Sequence, residues 1–141
     1  MTAIREFKGQ HRFLSNFWPC RFEWEGLVWQ SSEAAYQAAK CEDRSFWPQF
    51  AAMTPAESKR AGRSFPMRSD WESIKFQVMV SVLRAKFTQN PQLANDLRQT
   101  GFAWLEEGNT WGDRTWGVSP PGSGNGSNWL GLALMAVRGM M

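Results

Sequence analysis

Apolar and polar positions alternate first at "CRFEWEGLVW", Cys20 to Trp29, where Phe22 and Trp24 precede Glu25-Gly26 and a second apolar run. That pattern predicts a β-hairpin. "SSEAAYQAAK" follows and predicts a short helix with Ser31 or Ser32 as N-cap and Glu33 in its first turn. "TPAESKRAGR" is punctuated as a further helix. Thr54 suits the N-cap, Pro55 the first helical position, Glu57 a capping box, and Gly62 the stop. From Ser69, the residues Trp71, Ile74, Val78 and Val82 recur at helical spacing, which predicts a long core helix capped by Ser69 or Asp70. "NPQLANDLRQTG" repeats the device with Asn90, Pro91 and a stop at Gly101, and "FAWLEE" reads as a short strand. "NTWGDRTWGVSPPGSGNGSN" is then a Gly/Pro-rich loop, long enough to imply function, and "WLGLALMAVR" closes the chain as an apolar helix. The expected fold is mainly α: a single compact helical domain over residues 1–141, with a small N-terminal β-hairpin and that loop before the last helix.

The first predicted helix raises a question of faces. At about 100° per residue, Tyr36, Gln37 and Lys40 all fall within about 60° of Glu33, while the alanines at 34, 35, 38 and 39 fill the opposite arc. An amphipathic helix ordinarily buries Leu, Ile or Val and turns its charges to water. Here only methyl groups are offered on one side. The acid–amide–amine stripe is therefore either solvated or turned towards something polar inside the protein.

Composition narrows the class. The apolar fraction of 43% and charged fraction of 21% are those of a globular chain, and no apolar run approaches the roughly 20 residues that span a bilayer. "MTAIREFKGQ" shows no signal-peptide core, and Cys20 and Cys41 are isolated, so the expected compartment is a reducing cytoplasm without membrane attachment. His11 is the only histidine and reads as surface; no metal site and no cofactor are expected. The net charge of +3 is scattered, weak support for anionic partners. Nine Trp and ten Phe stand against one Tyr, too many to be all ligand contacts, so most belong to the core.

Six motifs in order resemble the NADAR (YbiA-like) family: "FLSNF" (13–17), "SSEAAYQAAK" (31–40), "KF" (86–87), "TG" (100–101), "LEE…D…WG" (105–117) and "NWLGLALMAVR" (128–138). The resemblance runs from about residue 8 to residue 138. It implies a mostly helical fold associated with NAD and ADP-ribose metabolism, and N-glycosidic activity: cleavage of ribosylamine intermediates of riboflavin synthesis, or removal of ADP-ribose from guanine bases of nucleic acid. The segment "VSPPGSGNGS" departs from the family's more apolar stretch, which bears on substrate choice rather than on chemistry.

Both implied substrates bond the sugar C1 to an exocyclic amine, and such glycosylamines can open to an imine. A neutral lysine could attack C1, expel the amine and leave a Schiff base that water hydrolyses. Lys40 is the expected nucleophile, with Lys59 and Lys86 as alternatives. Lys59 suits a phosphate or solvent contact, and Lys86 suits the C-terminal dipole of a helix. The separation from Glu33 to Lys40 is about 10.5 Å along the axis, and helical side chains lean towards the N-terminus, so a ribose fits between them. Glu33 would serve as general acid and base, with Asp113 assisting from the loop. An unperturbed lysine is neutral about once in 2,500 molecules at pH 7, so this chemistry demands burial or a neighbouring cation and predicts a largely buried Lys40, with Glu33 held off by the substrate or itself protonated.

The remaining candidates each carry two readings. Asn16 is a ligand contact or a turn former; Phe17 stacks on a base or fills the core; Tyr36 caps the pocket or fills space. Asp113 is catalytic or shapes its turn, Trp116 and Gly117 are pocket walls or packing, and Asn128 caps the last helix, contacts phosphate, or does both. The expected partner is ADP-ribosylated nucleic acid or a small phosphorylated ribosylamine. Removal of ADP-ribose from guanine is preferred over action on ribosylaminopyrimidine phosphates, with a non-catalytic ADP-ribose or nucleotide-binding module as the third reading.

Overall fold

The computed structural model describes residues 3–141 and divides the chain into two compact units, Asn16–Pro91 and the segment up to Ser15 together with Gln92–Met141. Its helices and short strands agree with the mainly α fold expected from the sequence.

In the unit Asn16–Pro91, strands β2 (Phe22–Trp24) and β3 (Leu27–Trp29) form the expected antiparallel hairpin, with Phe22 opposite Trp29. Glu25 and Gly26 turn the chain with φ of 52° and 79°, the left-handed pair that a two-residue hairpin requires. The hairpin's Trp24 ring lies parallel to Trp47, centroids 5.6 Å apart, and Trp29 is fully buried with its indole N–H donating to the Trp24 carbonyl. Offset aromatic pairs of this kind add about 0.5–1.5 kcal/mol beyond the area they bury.

Helix α1 (Ser32–Ala39) is the centre of this unit. It packs against α2 (Trp47–Ala51), α3 (Pro55–Ala61), α4 (Trp71–Thr88) and β3, and all eight of its residues are buried. This explains the alanines. A helix with neighbours on several sides needs short side chains for their axes to come close, and methyl groups provide that. The polar stripe is therefore internal, not solvated.

The other helices begin as their residues dictate. Ser31 Oγ accepts the Ala34 N–H, and Thr54 and Glu57 form the full capping box of α3, a device worth about 1 kcal/mol. Helix α4 shifts its core stripe from the expected one. Ile74 and Val78 are only half-buried, and the buried residues are Trp71, Met79, Val82, Leu83, Lys86 and Phe87. The distal half of the helix is surrounded more fully than its start. Helix α2 and a 3-10 turn at Arg44–Phe46 were not foreseen, because Pro48 and the short run of aromatic residues carry no helical period.

In the other unit, β1 (Ala3–Ile4) pairs in parallel with β4 (Trp104–Leu105), Ile4 beside Leu105. The sequence predicted the second strand but not its partner, since two residues cannot display a period. A 3-10 turn at Gly9–Leu14 buries Phe13 and Leu14, and helices α5 (Pro91–Gln99) and α6 (Trp129–Gly139) add Leu93, Leu97, Leu130, Leu134 and Val137 to this core. The loop from Glu106 to Asn128 has no regular element, yet it is ordered by its own hydrogen bonds, among them Val118 N–H to Glu107 O and Ser127 N–H to Arg114 O. The indoles sit less deeply than expected. Trp29, Trp47 and Trp71 are buried, while Trp104 and Trp111 are exposed. Among the described residues no helix is long and apolar enough to cross a membrane.

Candidate active site

The unit Asn16–Pro91 brings together five of the expected residues around α1. Glu33 lies in the first turn, buried at 7% exposure, with its Oε1 accepting from Gln37 Nε2 at 3.2 Å. Gln37 sits one turn further along the same face, so it fixes the carboxylate's orientation. Asn16 organises the helix start: its backbone carbonyl accepts the Glu33 N–H, its Oδ1 accepts from Ser32 Oγ at 2.8 Å, and its amide donates towards Met79 Sδ. The side chain expected to contact a ligand is thus engaged within the unit, and holding Glu33's helical turn is the role its geometry displays.

Lys40 is the C-cap of α1, where its N–H continues the helical bonding and its carbonyl accepts the Arg68 N–H at 2.8 Å. Its ammonium lies 5.3 Å from the centroid of Tyr36, and Tyr36 is buried against Trp71 with ring centroids 5.2 Å apart. Tyr36 therefore walls the lysine from beneath. Lys40 is half-buried, less enclosed than the chemistry was expected to require, but the second condition is present as well. Burial pushes its pKa down, the Glu33 carboxylate pushes it up, and the cations of Arg63, Lys59 and Lys75 push it down again. Phe17 is exposed at 38%, and its ring lies 5.8 Å from Lys59 Nζ.

The rival lysines separate clearly. Lys59 is exposed. Lys86 lies in the last turn of α4 as expected, but it is fully buried, and burial lowers its pKa to about 8, with Cys20 opposing. A nucleophile has to reach its substrate, and a side chain with no exposure does not. Lys40 is the lysine that combines a lowered pKa with access.

The other unit holds the remaining candidates in the loop before α6. Asp113 Oδ1 accepts the backbone N–H groups of Thr115 and Trp116 at 3.1 and 2.9 Å, and Asn109 clamps Asp113's own N–H and carbonyl. This carboxylate shapes its turn. Trp116 packs edge-on against Trp129 with centroids 5.8 Å apart. Gly117 lies flush against Glu107 and Asn109, so that a Cβ there would collide with the Glu107 carboxylate and carbonyl. Asn128 occupies the N-cap position of α6 with φ of 53°, but its side chain makes no cap bond. Its Oδ1 instead accepts the Glu107 N–H, and its amide donates to the Leu105 carbonyl, tying the loop to the end of β4.

Four contributors escaped the sequence. Gln37 was visible in the stripe, but its bond to Glu33 needed only the four-residue spacing to be noticed. Arg63 and Lys75 converge on Lys40 from the turn after α3 and from α4, and no local pattern announces that. Asn109 had no signal at all. A cavity of about 440 Å³ lies beside the end of α1, lined by Cys41, Glu42, Arg44, Trp47, Arg68, Ser69 and Asp70, none of them among the expected site residues. Among the described residues, no three of His, Cys, Asp and Glu stand close enough to hold a metal ion.

The unit thus places a buried carboxylate and an accessible lysine of lowered pKa on one helical face. The chain belongs to the NADAR family: the NADAR domain matches residues 4–141. It is 40% identical over 129 residues to the N-glycosidase YbiA of Escherichia coli (strain K12), covering 88% of this chain and 78% of that protein. It is also 40% identical over 131 residues to the riboflavin biosynthesis protein VVA0006 of Vibrio vulnificus (strain YJ016), covering 91% of this chain but 35% of the longer relative. The chain thus spans about a third of the Vibrio protein's length. The NMR structure of E. coli YbiA shares the fold with a TM-score of 0.85 at 36% identity, over 99% of this chain and 84% of that one. The chain is a member of a family of N-glycosidases, hydrolases acting on N-glycosidic bonds.

Proposed function

We propose that this protein hydrolyses the bond between a ribose C1 and an exocyclic amine through a Schiff base on Lys40. The observation that carries this reading is the pairing of an accessible lysine of lowered pKa with a buried, oriented carboxylate one face along the same helix. The neutral Lys40 amine attacks C1, the C1–N bond breaks, and Glu33 gives the departing nitrogen a proton. Water then adds to C1 of the lysine imine, Glu33 takes a proton back, and the C1–Nζ bond breaks to release the free sugar and regenerate the Lys40 amine. Gln37 holds Glu33 in place through both steps.

The aglycone divides this reading in two. The names of the Vibrio relative and of a maize relative, riboflavin biosynthesis protein PYRR, favour a ribosylaminopyrimidine phosphate. The net charge of +3 and the exposed Trp111 favour ADP-ribose on guanine in nucleic acid, where an exposed ring offers a stacking surface. A scattered charge is weaker support than two relatives' names, so we place the ribosylaminopyrimidine phosphate first and guanine-linked ADP-ribose second.

The test is intact-protein mass spectrometry after incubation with ADP-ribose, or with ribose 5-phosphate, and cyanoborohydride. A stoichiometric adduct mapped to Lys40 and lost in Lys40→Ala is the expected result. Tight binding with no adduct above the variant's background would replace the enzyme reading with a non-catalytic binding module or a glycosidase that uses water directly. Product release from a ribosylaminopyrimidine phosphate and from an ADP-ribosylated oligonucleotide, measured side by side, decides the aglycone.

A further inference from the structure

Helices α3 and α4 pack on α1 and bring three cations, from α3, from the turn after it and from α4, close enough to oppose protonation of Lys40. Lys59 comes from α3 and stands 5.8 Å from the exposed Phe17 ring. Arg63 follows Gly62, whose Cα is seated directly on the Gln37 side chain, so its backbone lies one helical turn from Lys40 along the same face. Lys75 comes from α4, its side chain only 15% exposed and paired with the outer carboxylate of Glu72 at 2.6 Å. Among the described residues neither Lys59 nor Arg63 forms an ion pair, although both are exposed and free to do so.

Gathering like charges around a half-buried lysine is unfavourable unless something negative joins them. Glu33 is the one carboxylate felt by Lys40 there, and the proposed chemistry uses it at C1. Glu33 and the Glu72 carboxylate on Lys75 set two acids against four cations, which leaves the site with a net positive charge facing the place where the sugar would sit. A sugar phosphate answers both facts, because its dianion is joined to the same ribose whose C1 meets Lys40.

We infer that Lys59, Arg63 and Lys75 form a subsite for the 5′-phosphoryl group of the substrate's ribose, beside Lys40. The inference rests on the reading of Lys40 as the residue facing C1, and it adds a substrate requirement: an unphosphorylated ribosylamine is a poor ligand. Lys59 and Arg63 take the phosphoryl oxygens from the exposed side, Arg63 with its planar fork and Lys59 as a point charge. Lys75 closes the inner side. The same phosphoryl group is present in a ribosylaminopyrimidine phosphate, as a monoester, and in ADP-ribose, as one half of a diphosphate.

Calorimetric titration tests this with ribose 5-phosphate, unphosphorylated ribose and ADP-ribose, against the wild type, Lys59→Ala/Arg63→Ala and the charge-keeping Lys59→Arg. Ribose 5-phosphate should bind the wild type at least tenfold more tightly than ribose. The double alanine variant should lose most of that margin, and Lys59→Arg should keep most of it. Both positions are exposed, so unchanged melting temperatures should accompany the loss. A cluster-dependent margin that ADP-ribose shows as strongly as ribose 5-phosphate assigns the diphosphate to the same subsite; one confined to ribose 5-phosphate assigns the monoester. No margin in the wild type, or one that survives in the double variant, overturns the inference. Reductive trapping separates this from the Schiff-base reading. A cluster-dependent margin without a Lys40 adduct keeps the phosphate subsite and removes the covalent step; an adduct without a cluster-dependent margin does the reverse.

Discussion

Lys40 and Lys86 both lie at the C-terminal ends of helices, where a cation is ordinarily favoured by the dipole, and burial lowers the pKa of both. They differ in what surrounds them. Lys86 is sealed among the distal residues of α4, with Phe87's ring 5.0 Å from its ammonium and the Cys20 thiol, itself pushed up by burial, as its titratable neighbour. Lys40 lies half in the open over Tyr36, with Glu33 favouring its charged form and three cations opposing it. A low pKa is therefore not by itself the mark of a nucleophile. Access together with a neighbouring acid singles out one lysine of the two, and the other carries a cost to stability instead.

The largest effect expected follows from that contrast. Lys40→Ala should abolish both the reductively trapped adduct and turnover, whereas Lys86→Met should retain the adduct; an adduct that maps to Lys86 would reverse the assignment. Glu33→Gln keeps the shape and the bond to Gln37 while removing the proton donor, and should lower kcat by about 10²–10⁴-fold. A loss in KM alone, with kcat intact, would move Glu33 from proton transfer to sugar binding.

Lys86→Met comes next, read as stability. The folded chain gives up this proton near pH 8 and the unfolded chain near 10.5, so the unfolded state binds more protons between those values and stability rises with pH across that window. The penalty is full at pH 7 and gone above the unfolded value. Lys86→Met should therefore gain up to roughly 3 kcal/mol in urea unfolding at pH 7, and the gain should shrink towards zero as pH passes 10. A gain independent of pH would show that the methionine simply packs better. The smallest effect is expected of Asp113→Asn, since an asparagine Oδ1 accepts the Thr115 and Trp116 N–H groups as the aspartate does. Activity should fall less than tenfold, and a loss of hundredfold or more would show that the charge itself works in catalysis.

Much of this was legible in the chain because it is written locally. Thr54, Pro55, Glu57 and Gly62 each satisfy a helix end within four residues, and Glu25-Gly26 fixes the hairpin without reference to anything distant. The stripe on α1 was legible as a question, since four alanines show that a helix is crowded but not by what. What escaped depends on separation in the chain. Arg63 and Lys75 reach Lys40 through packing of α3 and α4 on α1, β1 finds its partner about a hundred residues away, and Asn128 abandons its cap position to brace Glu107 and Leu105. None of these partners can be named from spacing. The complete burial of Lys86 escaped for the same reason, because its place at a helix end does not show what covers it.

Gly62 has helical backbone angles, so an alanine would suit its conformation and raise helix propensity by roughly 1 kcal/mol. Yet the added methyl would occupy the place of the Gln37 amide oxygen, and Gln37 is the group that aims Glu33. Crowding a buried side chain costs about 1–3 kcal/mol, enough to cancel the propensity gain. Gly62→Ala should therefore leave the melting temperature level or lower and reduce turnover, the glycine being kept for the room it gives Gln37.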